Sequence, residues 1–164
     1  MYCNFYGISE KPFEVTPDPR FLYRTARCKE VLASLVYGIN ERRGFISVVG
    51  EVGTGKTTML NAALDRLDPH TKTAFIFNTD LTFKQMLLMA LADLGLVGIG
   101  NNLTKSAAIQ RLNAFAIEEL SQGGNVVLIV DEAQNLTPSV LEEVRMLSNL
   151  ETEKEKLIQI ILLG

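Results

Sequence analysis

The sequence contains no tryptophan, one histidine and two cysteines among its 164 residues. Cys3 and Cys28 lie too far apart in sequence to read as a disulfide framework, and no Cys/His metal spacing is present. Two free thiols point to a reducing compartment. The lone His70 follows Asp68-Pro69 in a loop, and without partners it makes neither a metal site nor a triad. A basic segment followed by an apolar core is missing from the start, so no secretory signal is expected there. The longest apolar-looking stretch, Met86 to Gly100, is interrupted by Asp93 and falls short of the roughly 20 residues needed to span a bilayer. Basic residues are not in excess: sixteen stand against nineteen acidic, for a net charge of -3. That balance lends no support to DNA as a partner. The expected location is cytoplasmic, whether as a free protein or as the cytoplasmic part of one associated with the inner membrane. The run Leu157-Ile158-Gln159-Ile160-Ile161-Leu162-Leu163-Gly164 reads as a buried strand at which the chain stops, which suggests a fragment of a longer domain.

What is present is ordinary for a globular protein: 47% hydrophobic and 21% charged residues. The length fits one domain and buries roughly 70% of the extended-chain surface without disulfides or metal. Residues 1–25 are rich in proline and aromatics, and because proline disfavours helix in the residue before it they read as an extended arm. The arm's aromatics are expected to pack on the core. Residues 26–164 read as one continuous core. Apolar residues recur at helical spacing from Arg27 to Glu41. Phe45–Val49 reads as a strand, Lys56–Leu67 as a helix and Thr73–Asn78 as a second strand. Phe83–Leu94 and Lys105–Leu120 read as helices, the latter with Thr104 as N-cap. Val126–Val130 is apolar throughout, as in a strand covered on both faces of a parallel sheet. Pro138–Ser148 is a helix opened by Thr137 and Pro138, and Leu157–Leu163 is a fourth strand. Alternating strands and helices imply an α/β fold: a three-layer core with a mostly parallel sheet.

Gly50-Glu51-Val52-Gly53-Thr54-Gly55-Lys56-Thr57 matches G-x-x-x-x-G-K-[ST] in full, after a strand and opening a helix. By average residue usage the pattern arises by chance in roughly one chain of this length in a few hundred. The loop glycines permit backbone conformations that a Cβ hinders, so the amides of Gly50, Glu51, Val52, Gly53, Thr54, Gly55, Lys56, Thr57 and Thr58 can turn toward a phosphate. The Lys56 ammonium reaches the β- and γ-phosphates, and the Thr57 hydroxyl ligates Mg²⁺. A second signal lies some 75 residues downstream, where Val126–Val130 ends in Asp131-Glu132. Ligands bind at the carboxyl ends of strands in open α/β sheets. Asp131 is expected to orient Mg²⁺, and Glu132 to activate the attacking water as general base. The second acid favours a hydrolase over a phosphotransferase, since a hydrolase must position water. The Glu41-Arg42-Arg43 and Glu151-to-Lys156 charge runs read as solvated loops.

The Gly50–Thr57 loop, Asp131-Glu132-Ala133-Gln134-Asn135-Leu136 and Leu141-Glu142-Glu143-Val144-Arg145-Met146-Leu147-Ser148-Asn149-Leu150-Glu151 together resemble the AAA+ ATPases of the general secretion pathway protein A type. Phe5-Tyr6-Gly7, Pro12-Phe13, Pro17-Asp18-Pro19-Arg20-Phe21-Leu22-Tyr23 and Tyr37-Gly38-Ile39 agree, so the resemblance covers nearly the whole chain. It implies ATP as substrate with Mg²⁺, oligomerisation through AAA+ contacts, and partner proteins in secretion, pilus or exopolysaccharide machinery at the inner membrane. It places Asn78 where the family restrains the catalytic glutamate; a turn residue before Asp80 is the other reading. It makes Arg145 a candidate for an arginine supplied to a neighbouring subunit; an ion pair with Glu142 or Glu143 is the other. Arg20 and Tyr23 are candidates for the adenine, with core packing the alternative for Tyr23. In the family, a fifth strand and a helical lid follow the strand that here ends at Gly164, so the fold is expected to be C-terminally truncated and its turnover slow. Two further functions stay open: a DNA-binding helper ATPase of transposition or replication type, and a nucleotide-switched scaffold.

Overall fold

The computed structural model describes residues 5–7, 25–77, 80–98 and 100–164. Asn78, Arg20, Tyr23 and Cys3 lie outside these residues, as does most of the arm. Phe5 and Tyr6 are described, and they correct the expectation of core packing for that pair: both are exposed and meet each other edge to face at 4.9 Å.

The elements run α1 (Ala26–Asn40), β1 (Phe45–Val48), α2 (Lys56–Leu64), β2 (Thr71–Ile76), α3 (Phe83–Asp93), α4 (Lys105–Ser121), β3 (Asn125–Val130), a 3₁₀ turn (Ala133–Asn135), α5 (Pro138–Leu147) and β4 (Ile158–Leu163). The four strands stand in the order β1-β4-β3-β2, every neighbouring pair parallel. Both central strands, β3 and β4, are buried at every position. That is the burial expected of parallel strands covered on both faces.

Alternation along the strands sorts the core into two layers. Val126, Leu128 and Val130 join Ile158, Ile160 and Leu162 beneath α3, α4 and α5. Val127 and Ile129 join Ile161 and Leu163 on the opposite face, against Ile39 of α1 and Leu60 of α2. Helices thus cover both sides of the sheet, completing the three-layer α/β sandwich.

Four helices begin at a threonine whose hydroxyl accepts a backbone N–H: Thr25, Thr82, Thr104 and Thr137. Thr82 and Gln85 form a reciprocal capping box. The helix α2 differs, opening at Gly55 with no side-chain cap.

The N-terminal ends of the strands are tied together by Arg42. Its guanidinium donates to Asn125 Oδ1 at 3.1 Å and to the Gly124 carbonyl at 2.5 Å, and pairs with Glu155 at 3.3 Å. Its side chain is only 15% exposed, so this residue of the charge run is a partly buried clamp and not part of a solvated loop. Asn125 completes the junction by donating from Nδ2 to the Ile39 carbonyl. Gln159, fully buried in β4, accepts the Gly44 N–H on Oε1 at 2.6 Å. At the edge strand β2, the Asp93 carboxylate accepts the Phe75 N–H at 2.8 Å. A covered edge amide of this kind discourages pairing with another chain.

Candidate nucleotide site

The loop Gly50–Thr57 leaves the carboxyl end of β1 and turns into α2. Gly53 and Gly55 hold φ of 79° and 81°, the left-handed region in which a side chain is strained. Gly55 is the N-cap, so the chain enters α2 in a conformation that lets the first helical amides face the loop. Met59 N–H is bonded to the Gly55 carbonyl, which leaves the amides of Lys56, Thr57 and Thr58 ahead of the helix's own ladder. These donors, with the positive end of the helix dipole, suit a phosphate. The mouth is open: Val49 and Val52 are 82% and 96% exposed.

Lys56 folds back over the loop. Its Nζ donates to the Gly50 carbonyl at 2.8 Å and to the Glu51 carbonyl at 3.1 Å. Thr54 braces the same segment, donating from Oγ1 to the Glu51 carbonyl at 2.8 Å. The ammonium is therefore held against the loop's own carbonyls. Gly50 is anchored to the end of β4, its N–H donating to the Gly164 carbonyl at 3.0 Å.

Thr57 and Asp131 are 74 residues apart, and their side chains meet: Thr57 Oγ1 donates to Asp131 Oδ2 at 3.1 Å. The other carboxylate oxygen, Oδ1, accepts the Glu132 N–H at 2.9 Å. The backbone of Asp131 extends the sheet by donating to the Ile76 carbonyl at 3.1 Å. Two hard oxygens side by side suit a magnesium ion that keeps waters and takes its remaining ligands from phosphate. Among the described residues no cluster of three or more His, Cys, Asp or Glu stands together.

Glu132 follows at once, exposed and left-handed, with φ 53° and ψ 38°. A non-glycine residue with positive φ costs free energy and persists where the surrounding structure enforces it. Here the 3₁₀ turn Ala133–Asn135 does so, with Asn135 N–H donating to the Glu132 carbonyl at 3.0 Å. The turn lifts the Glu132 carboxylate out of the strand line beside Asp131. Gln134 Nε2 donates to Glu132 Oε2 at 2.5 Å.

The structure thus brings Lys56, Thr57, Asp131 and Glu132 to one end of the sheet. Arg145 is exposed on α5, held by a bidentate pair: Nε to Glu142 Oε2 at 2.8 Å and Nη2 to Glu142 Oε1 at 2.7 Å. The pair lowers the Glu142 pKa and raises that of Arg145, chiefly through the hydrogen bond itself. Of the alternatives open for Arg145, the ion pair with Glu142 is formed within the chain. The residue that sequence reasoning passed over is Gln134; the only signal was its place in the segment after the two acids.

Residues 39–164 match the AAA domain family. Over its full 164 residues the chain is 40% identical to general secretion pathway protein A of Aeromonas hydrophila, and it spans 30% of that protein's length. Among solved structures, the ORC2 protein of Aeropyrum pernix in ADPNP–ADP complexes aligns with a TM-score of 0.63 at 16% identity, over 93% of this chain and 44% of that one. Cdc6p of Pyrobaculum aerophilum gives 0.62 at 18% identity, over 93% of this chain and 41% of that one. The two structures establish likeness of fold. The described residues include no helix long and apolar enough to cross a membrane.

Proposed function

The chain belongs to the AAA domain family, and from that premise we propose that it binds Mg·ATP and hydrolyses it to ADP and phosphate. One observation carries the reading. Thr57 of the phosphate loop and Asp131 at the end of β3 stand 3.1 Å apart, so the two sequence signals form one site. Lys56 balances charge on the β- and γ-phosphates, and the amides at the start of α2 hold the phosphate chain. Thr57 and Asp131 would hold a magnesium ion, which would supply positive charge to offset that developing on the phosphates. Glu132 takes the proton from the attacking water as the water oxygen bonds to the γ-phosphorus and the bond to ADP breaks.

The wider role rests on the 40% identity to general secretion pathway protein A over this whole chain. We infer an oligomer that uses hydrolysis to assemble or remodel an inner-membrane secretion-type complex. Within that oligomer, Arg145 leaves Glu142 to stabilise charge at a neighbouring subunit's nucleotide, and Asn78 restrains Glu132.

The test is thermal unfolding with and without Mg·ATP, with GTP as competitor. Ligand at about 100 times its Kd adds roughly 2.7 kcal/mol, or on the order of 5–10 °C for a chain of this size. The shift appears with the parent protein and is lost in Lys56→Ala. A folded parent that shows no shift would refute the site.

A further inference from the structure

We propose that Gln134 is a positioning residue that fixes the Glu132 carboxylate for attack by water. The proposal rests on the reading of Glu132 as the base. Glutamate has three rotatable side-chain torsions, and an exposed one samples many orientations unless something holds it. Here the left-handed backbone of Glu132 and the 3₁₀ turn after it bring the Gln134 side chain back beside it. Gln134 Nε2 then donates to Glu132 Oε2 at 2.5 Å. An ionised carboxylate only accepts hydrogen bonds, so the NH₂ end of the amide must face it.

The other end of the amide lies close against the end of β4. A Cβ at Gly164 would lie 3.1 Å from Gln134 Oε1 and 3.3 Å from its backbone nitrogen. Glycine at that position leaves the room the amide occupies. Gly164 also accepts the Gly50 N–H at 3.0 Å and donates to the Val48 carbonyl at 3.1 Å. The amide therefore lies between the carboxylate and the end of β4, which itself anchors the phosphate loop. Base and phosphate loop share one frame, and the geometry of the water relative to the phosphate depends on it.

A residue acting in this way affects the chemical step and leaves nucleotide affinity alone. Gln134→Met keeps the unbranched stem and removes the donor. In the full-length natural protein it is expected to lower kcat about tenfold to a hundredfold, the span of a hydrogen bond to a charged group. KM and the Kd for Mg·ATP stay within about twofold of the parent's. Added to Glu132→Gln, it produces no further loss in the single-turnover rate, because it acts only through that carboxylate. If Gln134→Met melts early, Gln134→Leu, uncharged and likewise without the donor, serves in its place. Turnover within about twofold of the parent, a loss that appears in KM or Kd, or a loss that multiplies with Glu132→Gln would overturn the proposal. The parallel measurement on Glu132→Gln alone separates the two failures. An inactive Glu132→Gln with an unaffected Gln134→Met removes the positioning role only, whereas an active Glu132→Gln removes the base itself.

Discussion

If Lys56 and Asp131 act on different parts of one nucleotide, as proposed, their variants separate. Lys56→Ala removes the cation held against the loop, so binding itself is lost. Asp131→Asn keeps the shape and loses the charge that pairs with a divalent ion. Its ATP affinity, titrated with and without Mg²⁺, is expected to lose its dependence on the metal, while the parent binds more tightly with Mg²⁺ present. Equal metal dependence in the two proteins would argue against Asp131 as a ligand. The placement of these residues was legible, because the phosphate loop is a contiguous string between a strand and a helix and Asp131 directly follows an apolar strand. Gln134 was not legible in that sense. Its contact depends on the left-handed turn at Glu132, and nothing in the residue types announces a positive φ there. Arg42 was misread for a related reason: its partners lie 82 and 83 residues away, and a charge run looks the same whether solvated or clamped.

The clamp gives a prediction for the elements it joins. Arg42→Ala takes the side-chain donor from the Gly124 carbonyl and leaves Asn125 Oδ1 with the Val126 N–H alone at the N-terminal ends of the strands, at a cost of about 1–3 kcal/mol. Melting should fall by roughly 2–10 °C, while the Kd for Mg·ATP holds, because the site lies at the other end of the sheet. A changed Kd with unchanged melting would contradict this placement. The helix α5 ends on a weaker device. The pair with Arg145 lowers the folded-state pKa of Glu142, so its contribution is present at neutral pH and is lost as pH falls through that lowered value. Both side chains are more than half exposed, so the effect is small and screened by salt. Melting curves of the parent and Glu142→Gln should converge in acid and at high salt. Element boundaries were the least legible feature. The helix α2 stops at Leu64 and not at Leu67, because Arg66 and Leu67 close tight bonds to the Ala63 and Leu64 carbonyls ahead of Pro69. Strand β2 begins at Thr71, two residues before its apolar run, because it pairs with Asn125 at the start of β3.

For the whole molecule, the three layers followed from two strands too apolar to face water on either side. The order β1-β4-β3-β2 did not, since pairing partners leave little trace in a single strand's composition. That order sets β4 between the phosphate loop and Asp131-Glu132, which makes one site of segments far apart in sequence. If the active form is an oligomer in which Arg145 serves a neighbour, mixing two inactive proteins restores turnover: Arg145→Ala supplies a sound Glu132, and Glu132→Gln supplies a sound Arg145. Activity in Arg145→Ala alone, or none in the mixture, would count against a role in trans.

The most direct measurement is phosphate release at saturating Mg·ATP by the full-length parent and by Glu132→Gln, with nucleotide affinity measured on both. The account predicts equal affinity and a rate lower by about a hundredfold to ten-thousandfold in Glu132→Gln, the usual worth of a general base. Phosphate release by Glu132→Gln at the parent's rate would contradict it.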